Sequence, residues 1–510
     1  MNSFRIIVFT VCFCCVLSST GNRNACSLGI PSELDRSRLE QPGLADLSTA
    51  LSHYIVGIFY DSRGETPEAI EEYQRALKAR SDIGAIHIKM GAALLLLGET
   101  DHALAELAEA LALEPLNDRA RLLVGLVHTA NGEYDKAEAC YVQILESDPE
   151  NLRAMAFLSD LLVSQGRFEE AVKIYEEMLR ISSDDTVLYF NLGMIYSKTN
   201  QLKKAEQNLK KAIEIDFDYT EAQMVLGLVY EVEGDMKGAI RQYEAVEEID
   251  PLNKAAYARA GQLYYKLGKN DEALEQFRMM VRIDPKFSDP YMKIFGIYVM
   301  YKAHDKAEEI LQEALANGAT GGEIYAGLGY LNAIEKKYAD AANYYEMAID
   351  EDPENNQYWL YLGLALNDAG DKEHAIEMLE ERASMEGASP DIYNSLGYLY
   401  ATSGSELDRA TELINKALIM EPANGAYNDS MGWVFYKKGM YQEALKYFIK
   451  AVEYLPQNAT IQEHLGDVYL KLGDLEKAAK RWGKSLEIDA GNVTVVEKLR
   501  CLKDSTKGGK

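Results

Sequence analysis

Tryptophan occurs three times in this chain of 510 residues, histidine seven times and cysteine six. The placing of these few residues excludes more chemistry than their number does. No two of His53, His87, His102, His128, His304, His374 and His464 lie within one helical turn, so the sequence shows neither a metal-binding pair nor a base beside a nucleophile. His53, His87 and His128 are expected to pack rather than to react. Cys12, Cys14 and Cys15 share one N-terminal apolar run. Cys26, Cys140 and Cys501 lack the C-x-x-C spacing of zinc or dithiol sites, and no disulfide framework is implied. Cys140 is expected in the core as a small apolar residue. Positive charge is in deficit: 53 Lys and Arg stand against 81 Asp and Glu, a net charge of −28. Such a surface repels phosphate backbones and argues against a nucleic-acid partner. No glycine-rich phosphate loop is present, and no cofactor or metal site is expected.

Long apolar runs are scarce too. Residues 6–17 form an apolar segment of twelve, well short of the ~20 that a spanning helix needs. Arg5 precedes the segment and Ser18, Ser19 and Thr20 follow it, the layout of a secretory signal over residues 1–20. Residues 21–49, with Pro31, Pro42 and Gly43, read as a linker. Cys26 is a candidate lipidation site, although of the residues ahead of it only Ala25 fits a lipoprotein signal. Contact with a membrane is expected only if Cys26 is lipidated.

What the chain does have is a repeat. A frame of 34 residues begins at Ala50 and recurs thirteen times. Its eighth place holds glycine in eleven copies, with Ser159 and Phe295 as the exceptions. Its twentieth place is alanine in every copy, from Ala69 to Ala478, where composition alone would give about one. Glycine facing alanine lets two helices of a hairpin approach closely. Large residues at the eleventh and twenty-fourth places, such as Tyr60, Phe435, Tyr73 and Trp482, are expected to fill the neighbouring layer. In the first repeat Gly64 is read as closing the first helix, Thr66 as capping the second and Pro67 as occupying its first turn. Proline ends seven repeats, at Pro115, Pro149, Pro251, Pro285, Pro353, Pro422 and Pro456.

Three places depart from the frame: one residue extra near Ser405 and Glu406, a glycine-rich junction at 317–322 in place of the closing proline, and 386–390 at the end of the tenth repeat. The junction at 317–322 is read as a division between repeats one to eight, residues 50–321, and repeats nine to thirteen, residues 322–492. Residues 493–510 are expected to give a capping helix, with Val495, Val496, Leu499 and Leu502 at helical spacing, and a disordered tail from Ser505.

These positions resemble the tetratricopeptide family over about residues 50–492. The resemblance implies an all-α, right-handed superhelical solenoid of about thirteen hairpins, whose concave groove is lined by the first helix of each hairpin. It implies binding of other proteins or peptides and no catalysis. O-linked N-acetylglucosamine transferases carry similar arrays with a separate catalytic domain, for which the 18 residues after the last repeat leave no room within this sequence. Two groove chemistries of the family are missing. Apolar residues such as Ile88, Leu122 and Phe190 replace the Lys/Asn/Arg clamp on a peptide carboxylate, and only Asn191 matches an asparagine ladder. The sequences Asn394-Ser395-Leu396-Gly397-Tyr398 and Asp429-Ser430-Met431-Gly432-Trp433 resemble a block of exported bacterial tetratricopeptide proteins, which implies a periplasmic or outer-membrane scaffold. In a eukaryotic source Asn428, Asn458 and Asn492 would read as glycosylation acceptors.

In repeats nine to twelve the groove places hold Tyr330, Tyr361, Asn394, Tyr398, Asp429, Trp433, Tyr436 and Lys437. Aromatic rings with polar tips suit the capture of an extended peptide or a partner helix. The same rings could pack between repeats. Two other functions fit the array: a holdase-like carrier of extended clients, and a substrate-presenting subunit of a glycosyl-transfer or polysaccharide-export machinery.

Overall fold

The computed structural model describes residues 43–404 and 406–507. The signal segment 1–20, Cys26 and the end of the tail lie outside the described residues. Among those residues the chain is all α-helix, arranged as thirteen antiparallel hairpins and one final helix. Most helices are 13 or 14 residues long, nearly four turns each. The chain divides into two compact units, one ending at Pro251 and one beginning at Leu252. The junction at 317–322 lies within the second unit and is held in place: Asn317 donates from Nδ2 to Tyr291 Oη at 2.8 Å, and Ala319 is buried.

The frame places become contacts in a simple way. All thirteen alanines of the twentieth place are fully buried, with 0% exposure. The glycine of the eighth place faces the large residue of the twenty-fourth more directly than it faces the alanine. A Cβ added to Gly57 would stand 2.4 Å from Tyr73, and one added to Gly432 would stand 2.8 Å from Phe448. The ring therefore rests on bare helix backbone, and the alanine packs beside it. Where glycine is replaced, Ser159 turns its hydroxyl back to the Met155 carbonyl at 2.7 Å and stays buried.

Helix ends follow the punctuation with some differences. Gly64 takes a left-handed φ of 76°, which only glycine adopts without strain, and ends the first hairpin's first helix. Thr66 is the first residue of the next helix rather than its cap; Glu65 holds the capping position without a side-chain bond, and Pro67 sits in the first turn. Many first helices begin at an asparagine whose side chain accepts a backbone N–H, as at Asn117, Asn151 and Asn458.

A second device recurs that periodicity alone does not reveal. The side chain at the fourth place reaches back six residues to a carbonyl of the preceding turn. Tyr291 donates to Pro285 O, Trp359 to Pro353 O and Gln462 to Pro456 O, at 2.9–3.0 Å. His87 does the same to Ser81 O at 2.9 Å, and its other ring nitrogen meets Glu106 at 2.7 Å. His53 and His128 likewise meet carboxylates, Glu72 and Glu133. The tenth repeat, which lacks the closing proline, uses a buried arginine. Arg382 donates to the carbonyls of Glu386, Gly387 and Glu354, and Asn356 bonds both Gly387 O and the Ser389 N–H.

The boundaries of the array differ from the sequence reading at both ends. The first described helix is Leu44–Ser62, so the linker ends before residue 44 and the helix gains more than a turn ahead of the frame. The last is Val493–Lys507, which carries helix into the stretch expected to be disordered. Its Val495 is buried with Trp482, and Leu499 and Leu502 pack against them, whereas Val496 is exposed. Cys140 is half-buried, and burial raises its thiol pKa. Asn428 is buried and Asn458 and Asn492 are helix caps, so their side-chain amides are engaged within the fold.

Candidate partner-binding groove

The groove residues of the later repeats sit on three successive first helices, Pro390–Ser403, Gly425–Lys437 and Ala459–Lys471, each touching the next. The contacts between neighbouring first helices join the fifth and ninth frame places of one, Asp429 and Trp433, to the sixth place of the next, His464.

Trp433 is the centre of this surface. Its ring stacks with Tyr436 at 5.1 Å and with His464 of the next hairpin at 4.3 Å, and the Lys437 ammonium lies 5.2 Å from it. Tyr436 meets the edge of Tyr441 at 5.5 Å. Cation–ring and ring–ring contacts of this kind order the side chains before any partner arrives. His464 Nδ1 contacts both oxygens of Asp429, at 3.0 and 3.1 Å. Asp429 and His464 are both buried, so the carboxylate is paired rather than open to the groove.

Two polar atoms in these helices are buried without a hydrogen-bond partner among the described residues: Trp433 Nε1, a donor, and Asn394 Oδ1, an acceptor. Burial and the nearby Asp429 charge raise the Tyr398 hydroxyl pKa. Burial, with Asp467 and Tyr441 beside it, pushes Tyr436 up to about 12, so both phenols remain protonated donors at neutral pH. Asp467 is itself occupied, accepting from Trp482 Nε1 at 2.9 Å and from Lys498 at 2.7 Å.

The structure thus gathers Asp429, Trp433, Tyr436 and Lys437, places Tyr398 where it senses Asp429, and adds His464. Tyr330 and Tyr361 stand on earlier hairpins, 43% and 37% exposed, and both border the buried Tyr345; the Tyr361 ring lies 5.3 Å from it. His464 escaped the sequence reading because its partner is 35 residues away. The 34-residue equivalent of Asp429 is Glu463, one place before His464, so the repeat itself does not signal the pair. Among the described residues no cluster of three His, Cys, Asp or Glu could hold a metal ion, and no helix is long and apolar enough to cross a membrane.

Tetratricopeptide-repeat sequence models match residues 302–355, 335–388 and 430–493, and a second such model matches 233–294. The repeats are tetratricopeptide repeats. Residues 36–250 match the model for the C-terminal domain of cilia and flagella-associated protein 70. No curated protein sequence matches the chain. Solved tetratricopeptide-like arrays with similar folds include the Cut9–Hcn1 hetero-tetramer of APC/C, with 14% identity, 92% of this chain and 97% of that chain covered, and a TM-score of 0.40. Yeast Tom70 has 15% identity over 90% of this chain and 96% of its own, with a TM-score of 0.37. YrrB, described as a TPR protein with an unusual peptide-binding site, has 26% identity over 35% of this chain and 92% of its own, with a TM-score of 0.31.

Proposed function

We propose that the protein is a non-catalytic interaction scaffold that grips an extended peptide segment of a partner protein on the first helices of repeats eleven and twelve. The observation that carries this reading is the preordered ring cluster, in which Trp433 stacks on Tyr436 and on His464 with the exposed Lys437 ammonium 5.2 Å from its ring. Rings held in place before a partner arrives lose little side-chain entropy on binding. Tyr398 and Lys437 supply further donors at the rim, and Tyr330 and Tyr361 extend the aromatic face on earlier hairpins.

The test is capture of crosslinked partners by the full chain and by Trp433→Ala, which removes the ring at the centre of the cluster. Loss of a fixed, stoichiometric partner at unchanged melting temperature supports the reading. Undiminished capture overturns it. Recovery of many unrelated extended chains would favour a holdase-like carrier, and recovery of a glycosyltransferase would favour a substrate-presenting subunit.

The site of action we propose is the bacterial envelope, periplasm or outer membrane, on the strength of the leader-like residues 1–20 and the blocks around Tyr398 and Trp433. The match of residues 36–250 favours a second setting, a eukaryotic cell. N-terminal sequencing of the mature chain, with mass analysis of Cys26 for an acyl group, separates the two. A chain starting at Met1 argues against export.

A further inference from the structure

The fourth frame place supplies a donor to the turn between hairpins, and in one repeat that donor is titratable. Gln223, Tyr291, Trp359 and Gln462 each donate to the carbonyl six residues earlier at 2.9–3.0 Å, and Arg121 and Asn428 do so at 2.5 and 3.3 Å. Side chains of these types keep their donor hydrogens throughout the neutral range. His87 holds the same place in the second hairpin, with Nε2 2.9 Å from Ser81 O in the turn 80–83. A carbonyl only accepts, so Nε2 carries a hydrogen. The other nitrogen, Nδ1, lies 2.7 Å from Glu106 Oε2, and an ionised carboxylate also only accepts. The ring that satisfies both contacts is therefore the imidazolium. His87 is 6% exposed, so water does not replace a contact that is lost. The other charges on the elements around it are engaged elsewhere or exposed. Arg80 pairs with Asp82 in the turn, Arg75 with Glu71 and Glu72 on the helix before, Lys89 of its own helix with Asp61, and Arg121 with Asp118 on the next first helix. Lys78 and Glu109 are exposed, which leaves Glu106 as the carboxylate that faces the ring.

We propose that His87 is a pH-sensitive latch on the junction between the first two hairpins, closed while its ring is an imidazolium and released when the ring loses a proton. A neutral imidazole has one N–H. The carboxylate of Glu106 is the stronger acceptor and keeps that hydrogen on Nδ1. The Nε2 lone pair then faces the Ser81 carbonyl oxygen, and two acceptors at 2.9 Å repel. The turn 80–83 moves away from the ring, and the seat of the first hairpin on the second loosens. The stabilisation is thus present in mild acid and is lost as the pH rises and the ring titrates. The device is confined to one junction. His53 holds the fourth place of the first hairpin and meets Glu72, but the residue six back from it, Leu47, lies inside the same helix, so no turn is latched there.

The experiment is hydrogen exchange of the full chain, read by mass spectrometry at about pH 6 and about pH 9 and corrected for the intrinsic exchange rate. Residues 80–90 should open about tenfold more often at the higher pH, the effect of losing one buried hydrogen bond to a charged group. Residues 217–226, where Gln223 makes the equivalent bond to Phe217 O, should show no such change. His87→Gln installs that same donor without a titrating ring, and should leave residues 80–90 equally closed at both pH values. Glu106→Gln should do likewise, since its amide can donate to Nδ1 and the neutral ring then keeps its hydrogen on Nε2. Equal opening of residues 80–90 at the two pH values in the wild-type chain overturns the proposal. A pH dependence that survives either substitution overturns it equally.

Discussion

His464 and Asp429 are partners across one hairpin spacing, the imidazole Nδ1 lying 3.0 and 3.1 Å from the two carboxylate oxygens with both side chains buried. An ionised carboxylate only accepts, so the nitrogen donates. The pair joins the last two hairpins and at the same time supports Trp433, which stacks on the imidazole.

Removing one member leaves the other buried and alone. His464→Ala is expected to destabilise the C-terminal hairpins by about 2 kcal/mol, the cost of a buried charged group that loses its hydrogen bond. Asp429→Ala should cost a similar amount. The double variant should cost less than the sum of the two. Urea denaturation followed by tryptophan fluorescence measures all three, and strict additivity would mean that the two residues act independently.

Glycines in this chain are not interchangeable. A methyl group on Gly466 would lie 2.5 Å from the buried Trp482 ring, so Gly466→Ala should cost about 1–3 kcal/mol through overpacking. Gly296 has nothing within 4 Å of the same added carbon and is exposed in mid-helix. Gly296→Ala should raise stability by up to about 1 kcal/mol through helix propensity alone. Paired denaturation curves would show shifts of opposite sign.

Arg382 closes the tenth hairpin with a fork of N–H groups to three carbonyls, a geometry that an ammonium does not reproduce. Arg382→Lys is expected to cost about 2 kcal/mol and to speed exchange of the amides at residues 386–389. Hydrogen exchange by mass spectrometry reads this directly. Unchanged protection there would show that Asn356 alone holds the turn.

The final helix is clasped by Lys498, which lies 2.7 Å from Glu463 and 2.7 Å from both oxygens of Asp467. Burial raises the Glu463 pKa, but Lys498 and Asn492 outweigh it and hold the carboxyl below its usual range. A depressed folded pKa means that the stabilisation is complete above the unfolded value, about 4.3, and is lost as pH falls through the folded one. Amide protection of Val493–Lys507 should therefore hold at neutral pH and fade in acid before the rest of the array unfolds. Lys498→Met should loosen this helix already at neutral pH, by about 2 kcal/mol.

The frame, its thirteen hairpins and their buried alanines were legible in the sequence because they repeat at a fixed offset. Contacts peculiar to one hairpin were not. Arg382 replaces a proline by bonding carbonyls on both sides of a turn, and nothing in a 3.6-residue period signals that. The groove was legible as a set of places, but its pairing was not: Asp429 reads as an exposed acid until His464 is found beside it. Helix ends shifted for a related reason. Residues 44–49 lie outside the frame yet continue the helix, since no proline or glycine stands between Gly43 and the frame.

The ring-on-glycine contact described for Gly57 with Tyr73, and repeated to Gly466 with Trp482, lies entirely inside one hairpin. Gene duplication or loss in steps of 34 codons would therefore insert or remove a finished unit, leaving every such contact intact and requiring only that the new neighbours accept one another's faces. The length of this array is free to drift over evolution in whole hairpins, while a smaller step has to be absorbed in a turn, as the extra residue of the eleventh repeat is, with Gly397 still against Ile414.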